Sequence, residues 1–417
     1  MPNQNVPAQA GEGQRSILLL GGSRHQVPAI ECAKRLGYRT VLCDYLPDNP
    51  GQYAADVFYQ ESTTDWDLML SIARKEGVSG VLAFGTDVAA GTAAYVSEKL
   101  GLPTNPLASV QVLSEKHLFR DHLEKSGLPC PKHARLSTSS TVAEVIAAGE
   151  GMTLPVVLKP TDSSGSKGVT VLEALDEASV APALAYACEF SRNQTLVLEE
   201  YIRAGFPRVI GGDVFVADGE VCFWGLMSCL RDKAMGGLVP VGERWPSGLN
   251  ESQLNAVKDQ VQALVTSLGM RFGEMNVEVI VDDNDVPHFL ELAARAGGNM
   301  IPNQLSDLSG IDLVEANVRY AMGDTMDVDF DGVSAEGCYS TYMLHAREAG
   351  TYRGVEFADE LAPYVYRVTP YVEEGGHCES FQNASKAIGV VFMRFDDEAQ
   401  MESLLDRIDE LVTVVVD

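Results

Sequence analysis

The chain has 417 residues, is 46% hydrophobic and 22% charged, and carries 59 acidic against 31 basic side chains, for a net charge of −28 at pH 7. That is enough material for about two to four folded units with cores of their own, and so acidic a balance disfavours broad contact with nucleic acid or anionic lipid. No apolar run approaches the roughly 18 residues that cross a bilayer, so neither nucleic acid nor membrane is an expected partner.

Residues 1–14, MPNQNVPAQAGEGQ, are polar and lack the basic-then-apolar order of a secretory signal. They read as a disordered tail. The eight cysteines include no C-x-x-C pair, which fits reduced thiols in a cytoplasmic protein. "SILLLGGSRHQVPAIECAKRLGYRTVLCDY" predicts strand, glycine turn, helix and strand. A helix in "WDLMLSIARKEG", a strand in "VSGVLAFG" and a helix in "AAGTAAYVSEKLG" follow. Alternating strands and helices predict a parallel sheet. Asp44, after the glycine turn, suits the ribose of a dinucleotide. Only Gly21 and Gly22 are present, however, so G-x-G-x-x-G is not met. Residues 15–107 are therefore expected to form a Rossmann-like scaffold domain whose loops help bind a substrate.

From residue 108 the pattern changes. "SVQVLSEKHLFRDHLEKSG" predicts one amphipathic helix, and "LPCP" a break. Strands are expected in "PVVLKP", "VTVLEAL" and "TLVLEEYI", with a helix in "EASVAPALAYACEF". The pattern then turns antiparallel: "RVIGGDVFVADGEVCFWGLMSCL" has a D-G turn at Asp218 and Gly219. A helix near 251–268 and a second hairpin, "NVEVIVDDNDVPHFLELAAR", come next. The remainder mixes strands with one helix, "DEAQMESLLDRIDEL".

The segment "LPVVLKPTDSSGSKGVTVLE" sets Ser163, Ser164, Gly165, Ser166, Lys167 and Gly168 between two strands, with Lys159 before them. It is not a Walker A loop, because Lys167 is followed by Gly168 and the β-branched "VTVLE" follows instead of a helix. A hairpin loop of small residues offers several backbone N–H groups to an anion such as a phosphate chain, and glycine permits the positive φ that such a turn needs.

The second hairpin carries its own chemistry. With "DDNDVP" as the loop, Val281 opposes His288 and Glu278 opposes Glu291. Directly opposed residues have Cβ atoms about 5 Å apart, where two carboxylates repel by about 3 kcal/mol at an effective dielectric of about 20. Protonating one acid or placing a cation between them relieves this, and magnesium prefers oxygen donors, one or two of them carboxylates alongside phosphate oxygens. The strand period of two puts Arg295 on the face of Glu291, where its planar fork meets a phosphate. An EF-hand is excluded because Val286 and Pro287 stand where that loop needs an acid and a glycine. His345 and His377 fall in no metal spacing and read as ordinary core or surface residues, with the lining of a substrate pocket as the alternative.

"VVLKPTDSSGSKGV" resembles the nucleotide-binding hairpin of the ATP-grasp superfamily, and the likeness runs along nearly the whole chain. "LSEKHLFRDHLEKSGLPCP" resembles the opening helix of the grasp module, and "LVLEEYI" its adenine hinge. "ELAARAGGNMIPNQLSDLSGIDLVEANVRYAMGD" resembles the metal and phosphate strand, and "ASKAIGVVFMRFDDEAQ" the C-terminal subdomain of the carboxylate–amine ligases. The resemblance implies an α/β and α+β chain: a Rossmann-like domain over 15–107, a small lobe over 108–202 and a C-terminal lobe over 203–417, with ATP between the lobes. It implies that Lys116 and Lys159 touch the phosphates of ATP and that Ser163 to Gly168 close over them. Glu199, Glu200, Tyr201 and Ile202 would hold adenine, largely through backbone groups. Glu278 and Glu291 would hold Mg2+, with Mn2+ as a substitute, and Arg295 would meet the transferred phosphoryl group.

Two departures stand out. The family usually has asparagine two residues after the second metal glutamate, and this chain has Ala293. The register that opposes Glu278 to Glu291 opposes Asn276 to Ala293, so Asn276 is a candidate replacement, with water as the alternative. Members also place a carboxylate for the ribose after the hinge, and here none occurs before Asp213. The implied reaction is ADP-forming ligation of a small carboxylate, an amino acid or a derivative, to an amine through an acyl phosphate, with Arg295 and Lys159 as the catalytic cations. A thiol ligase, a carboxylase-like enzyme or a catalytically silent nucleotide-binding module is the alternative. A homodimer in the cytoplasm is the expected state.

Overall fold

The computed structural model describes residues 13–163, 167–235, 237, 239–326, 330 and 337–417. Ser164, Gly165 and Ser166, and residues 1–12 of the expected tail, lie outside the described residues. Four short runs make the first sheet: β1 (Ser16–Leu20), β2 (Arg39–Asp44), β3 (Val57–Gln60) and β4 (Gly80–Leu82). Their order is β3-β2-β1-β4, and every pair is parallel. β1 is buried at each position because both its faces are covered. Ile17 and Leu19 pack with Ile30 and Ala33, and Leu18 and Leu20 with Met69 and Ala73. Continuous apolar strands are what a parallel sheet requires. Val314 and Val318, from the distant helix Leu313–Ala321, complete the Ile17 side. β3 carries too little apolar alternation to be expected from sequence.

The glycine turn after β1 is closed on itself. The Gly22 N–H donates to Asp44 Oδ2 at 2.7 Å, and the Leu46 N–H donates to Asp44 Oδ1 at 2.8 Å. A Cβ on Gly22 would lie 2.1 Å from Asn49 Oδ1. Asp44 is thus spent inside the scaffold, in keeping with the missing dinucleotide fingerprint.

The second sheet holds β5 (His133–Ser137), β6 (Val156–Pro160), β7 (Thr170–Leu172) and β8 (Thr195–Glu200), antiparallel in the order β5-β8-β6-β7. Val156 pairs with Leu172 and Leu158 with Thr170, so β6 and β7 form the expected hairpin. One expectation is corrected here. "SVQVLSEKHLFRDHLEKSG" is two helices, Leu107–Ser114 and Lys116–Lys125, broken at Glu115, whose φ of −126° and ψ of 110° are extended. The break turns the Lys116 N–H onto Thr161 O at 2.9 Å, so the second helix restarts against the end of β6.

The third sheet is built from β9 (Ile210–Ala217), β10 (Glu220–Arg231), β11 (Pro240–Trp245), β12 (Gly273–Val281), β13 (Pro287–Ala293) and β14 (Cys338–Leu344). β15 (Gly350–Phe357), β16 (Val365–Pro370), β17 (His377–Cys378), β18 (Gly389–Phe395) and β19 (Val412–Val416) follow. The large sheet runs β13-β12-β9-β10-β11-β14-β18-β16, while β17, β15 and β19 form a small one. Asp218 and Gly219, with φ of 52° and 89°, make the expected hairpin turn. The helix Glu251–Leu268 opens on an Asn250–Gln253 capping box. Val257, Val261 and Leu264 seal one face of β9 and β12. "DEAQMESLLDRIDEL" is two helices, Glu398–Leu405 and Ile408–Leu411, instead of one.

The β12–β13 register corrects a second expectation. Val281 pairs with Pro287, not His288, and Val279 with Phe289. A register shift beyond Val279 then returns Glu278 to Glu291 and Asn276 to Ala293. The loop is one residue shorter than expected, and a bulge at the unpaired Leu290 restores the pairing.

Candidate active site

Glu278 and Glu291 face each other across β12 and β13, and each has a cation beside it. Arg231 Nη2 lies 3.4 Å from Glu278 Oε2, and Lys116 Nζ 3.7 Å from Glu291 Oε2. Burial raises the Glu291 carboxyl above its ordinary range; Lys116 opposes this, and Asp87 and Glu278 reinforce it. Among the described residues, no group of three or more His, Cys, Asp or Glu side chains could hold a metal by itself. The donor set is therefore a pair of carboxylates, and it suits an ion that takes its remaining ligands from water or phosphate.

Lys116 also reaches the hairpin loop, donating from Nζ to Ser163 O at 2.7 Å. Ser163 Oγ donates to Lys167 O at 2.9 Å across the base of that loop. Gly168 closes it at φ 74°, where a Cβ would lie 2.7 Å from Pro160 Cγ. Lys159 sits below. It stands near the end of β6 and is buried, with its ammonium on Glu199. Glu199 Oε2 also accepts from Arg120 Nε at 2.8 Å, and Arg120 Nη2 donates to Leu290 O, the bulge carbonyl, at 3.3 Å. Burial pushes the Glu199 carboxyl up, but Arg120 and Lys159 outweigh it and hold it down at about 2. Burial pulls Lys159 down to about 8 in spite of Glu199.

This geometry alters the expected hinge. The Glu199 side chain anchors two cations, and β8 lies between β5 and β6. The Glu200 N–H donates to Lys132 O at 2.9 Å, and the Tyr201 N–H to Pro155 O at 3.0 Å. Neither N–H is available to a ligand. Ile202 follows the end of β8 and is half-buried.

Arg295 follows β13, with Nε donating to Asp87 Oδ1 at 2.6 Å. Asp87 comes from the loop between β4 and the helix Ala90–Leu100. The carboxyl ends of parallel strands are where such folds collect ligands, and that was the one sequence signal available for it. Behind Arg295, the fully buried Asp213 accepts from the Gly297 N–H at 2.6 Å and from Asn276 Nδ2 at 2.8 Å. Asn276 Nδ2 also donates to Gly212 O at 3.0 Å. Asp213 is therefore engaged inside the sheet, and the Asn276 amide nitrogen is committed to it. A Cβ on Gly297 would sit 2.7 Å from Asp213 Oδ1, so this close approach requires glycine. Burial raises both Asp213 and its neighbour Glu274. Under Arg231, burial pushes Glu243 up to about 8, and its Oε1 accepts from Cys229 Sγ at 3.1 Å. His345 is buried and stacked on Phe381 at 4.2 Å, and His377 is exposed.

Lys116, Ser163, Glu291, Ala293 and Arg295 border one cavity of ≈ 490 Å³, together with Asp87. Arg120 and Arg231 were not legible as site residues, because their partners Glu199 and Glu278 are remote in sequence.

The family model described as "Carbamoyl-phosphate synthase L chain, ATP binding domain" matches residues 115–328. The uncharacterized protein y4rH of Sinorhizobium fredii is 23% identical over 402 residues, covering 90% of this chain and 79% of that protein. The carbamoyl phosphate synthase large chain of Kineococcus radiotolerans is 27% identical over 299 residues, 70% of this chain but only 26% of its own length. Among solved structures, the L-amino acid ligase of Bacillus licheniformis superposes with a TM-score of 0.80 at 18% identity, covering 97% of this chain and 99% of that one. The biotin carboxylase domain of the Hydrogenobacter thermophilus 2-oxoglutarate carboxylase, a complex with MgADP and bicarbonate, gives a TM-score of 0.74 at 17% identity, covering 97% and 91%. At these identities the structures speak for the fold alone. A family match over half the sequence, on the hairpin, helices and strands described above, makes this chain a member of the ATP-grasp family that carries the carbamoyl-phosphate synthase ATP-binding domain.

Proposed function

We propose that the protein is an ATP-dependent ligase that joins a small carboxylate, an amino acid or a derivative, to an amine, releasing ADP and phosphate. The observation that carries this reading is the convergence of Lys116, Glu291 and Arg295 on one cavity at the mouth of the β6–β7 hairpin. In the first step a carboxylate oxygen bonds to the γ-phosphorus of ATP and the bond to ADP breaks. In the second the amine nitrogen bonds to the acyl carbon, phosphate leaves, and the proton of the amine passes to phosphate or water. Lys116 and Lys159 bind phosphate oxygens, and Arg295, held by Asp87, faces the charge that develops on the transferred group. Glu278 and Glu291 would hold magnesium, or manganese in its place, which when bound neutralises phosphate charge. Asn276 would assist directly or through water where Ala293 cannot. No side chain is required as a covalent nucleophile.

The partition at residues 107 and 202 belongs to this proposal, as do a cytoplasmic location and a homodimeric state. The four sheets support the partition: β1–β4 lie within 15–107, β5–β8 within 108–202, and the remaining two sheets within 203–417. Among the described residues, no helix is long and apolar enough to cross a membrane. A matrix of carboxylates against amines, scored for ADP and phosphate with mass detection of products, tests the reading. AMP and pyrophosphate from a productive pair would overturn the mechanism. Nucleotide binding without turnover across the matrix would favour a silent module.

A further inference from the structure

The amine of that reaction has no seat among the groups described so far. The cavity extends from Glu291 and Arg295 to Trp66, at the first turn of the helix Trp66–Glu76. At ≈ 490 Å³ it falls in the range of about 300–1,000 Å³ usual for small-molecule sites. Small lining residues open it: Ala90, Gly91, Ala293 and Ala294. A Cβ on Gly91 would stand 3.3 Å from Trp66 Cζ2, so a larger residue there would crowd the indole. Tyr95 steadies that ring, with centroids 4.9 Å apart. The result is a fixed aromatic wall, continued by Leu113.

Four carboxylates border the same space: Asp87, Glu115, Asp162 and Glu291. Asp87 is held by Arg295 at 2.6 Å and Glu291 by Lys116 at 3.7 Å. Asp162 Oδ2 accepts the N–H groups of Arg192 and Asn193 at 3.1 and 2.8 Å. Among the described residues Glu115 has only the long contacts, Asn193 Nδ2 at 3.4 Å and His117 Nδ1 at 3.6 Å, and its side chain is 36% exposed. It is the carboxylate of the four left to meet a cation, and the helix break is what presents it. A carboxylate and an aromatic wall lining one cavity suit an ammonium attached to an apolar body. Lys116, Arg192 and Arg295 in the same lining are engaged by Glu291, Asp162 and Asp87, so an acidic side chain on that ligand would meet the uncompensated Glu115.

We propose that this cavity seats the amine substrate, with its ammonium on Glu115 and an apolar side chain against Trp66. The proposal rests on the ligase reading and names the amine class: an amino acid or amino amide with a neutral, apolar side chain. The test titrates L-leucinamide into the full-length protein in the presence of MgADP and follows tryptophan fluorescence; the chain has three tryptophans. Saturable binding is expected, with the signal lost in Trp66→Phe. Affinity should fall at least tenfold in Glu115→Gln, and N-acetyl-L-leucinamide and L-glutamate should bind at least tenfold more weakly than L-leucinamide. Absent binding, equal binding of the acetylated probe, or unchanged affinity in both Glu115→Gln and Trp66→Ala would overturn the proposal. If carboxylates and amines yield ADP while Trp66→Ala leaves the leucinamide KM unchanged, the seat is wrong and the ligase stands. If leucinamide binds as expected and no carboxylate yields ADP, the seat stands and the ligase reading fails.

Discussion

Replacing Glu199 with glutamine tests the buried triad directly. Glutamine keeps the shape but removes the one negative charge that Arg120 Nε meets at 2.8 Å and that Lys159 also contacts. Breaking one member of a buried ion pair costs about 3–5 kcal/mol, because a charge is left uncompensated. The protonation balance gives a similar figure. The Glu199 carboxyl is held at about 2 against an ordinary 4.5, and at about 1.4 kcal/mol per unit this is worth about 3 kcal/mol. A depressed carboxyl contributes its full stability above the unfolded value and loses it as pH falls through the folded one. The wild-type sheet should therefore weaken between about pH 4.5 and pH 2. Amide hydrogen exchange in β6 and β8 reports this sheet separately from the rest of the chain. Glu199→Gln should lower protection at pH 7 by about 3–5 kcal/mol and show a flatter acid limb. Adding Lys159→Met should restore part of the loss, since one unpaired cation disappears. A loss below about 1 kcal/mol, the range of an exposed pair, or an acid limb equal to wild type, would refute the reasoning.

Other outcomes follow from the same site. Lys159, held at about 8, is favoured in its charged form by a phosphate, so ATP affinity should fall as pH rises above about 8 and binding there should take up a proton; calorimetry in two buffers of different ionisation enthalpy measures this, and Lys159→Ala should abolish the uptake. Gly297→Ala forces a methyl to within 2.7 Å of Asp213 Oδ1, so the loop after Arg295 must shift; kcat for ADP formation should drop at least tenfold with MgATP affinity within twofold of wild type, and an unchanged kcat would count against the Asp213 clamp. Asn276→Ala should raise the magnesium concentration needed for half-maximal turnover, and Ala293→Asn in the same chain should bring much of it back. An unchanged magnesium dependence would leave water as the ligand and Asn276 as a partner of Asp213 alone.

Pairings close in sequence were legible without a fold. The D-G turn at Asp218, the hairpin at Lys159 to Gly168, and Glu278 opposite Glu291 all follow from backbone periodicity over a few residues. The expected tip was one residue too long, and the bulge at Leu290 returned Glu278 to Glu291. Pairings between remote charges were not legible. Arg120 meets Glu199 across 79 residues and Arg295 meets Asp87 across 208, and nothing local distinguishes these from solvated charges. The break at Glu115 was hidden for a related reason: its neighbours continue the helical pattern, and the Lys116 N–H bonds to Thr161 O, a partner remote in sequence. A strand or helix declares which face it buries through its own periodicity, but the partner of a buried charge is set by how sheets and helices pack, because the cost of desolvating that charge is met only by a group the tertiary fold brings to it.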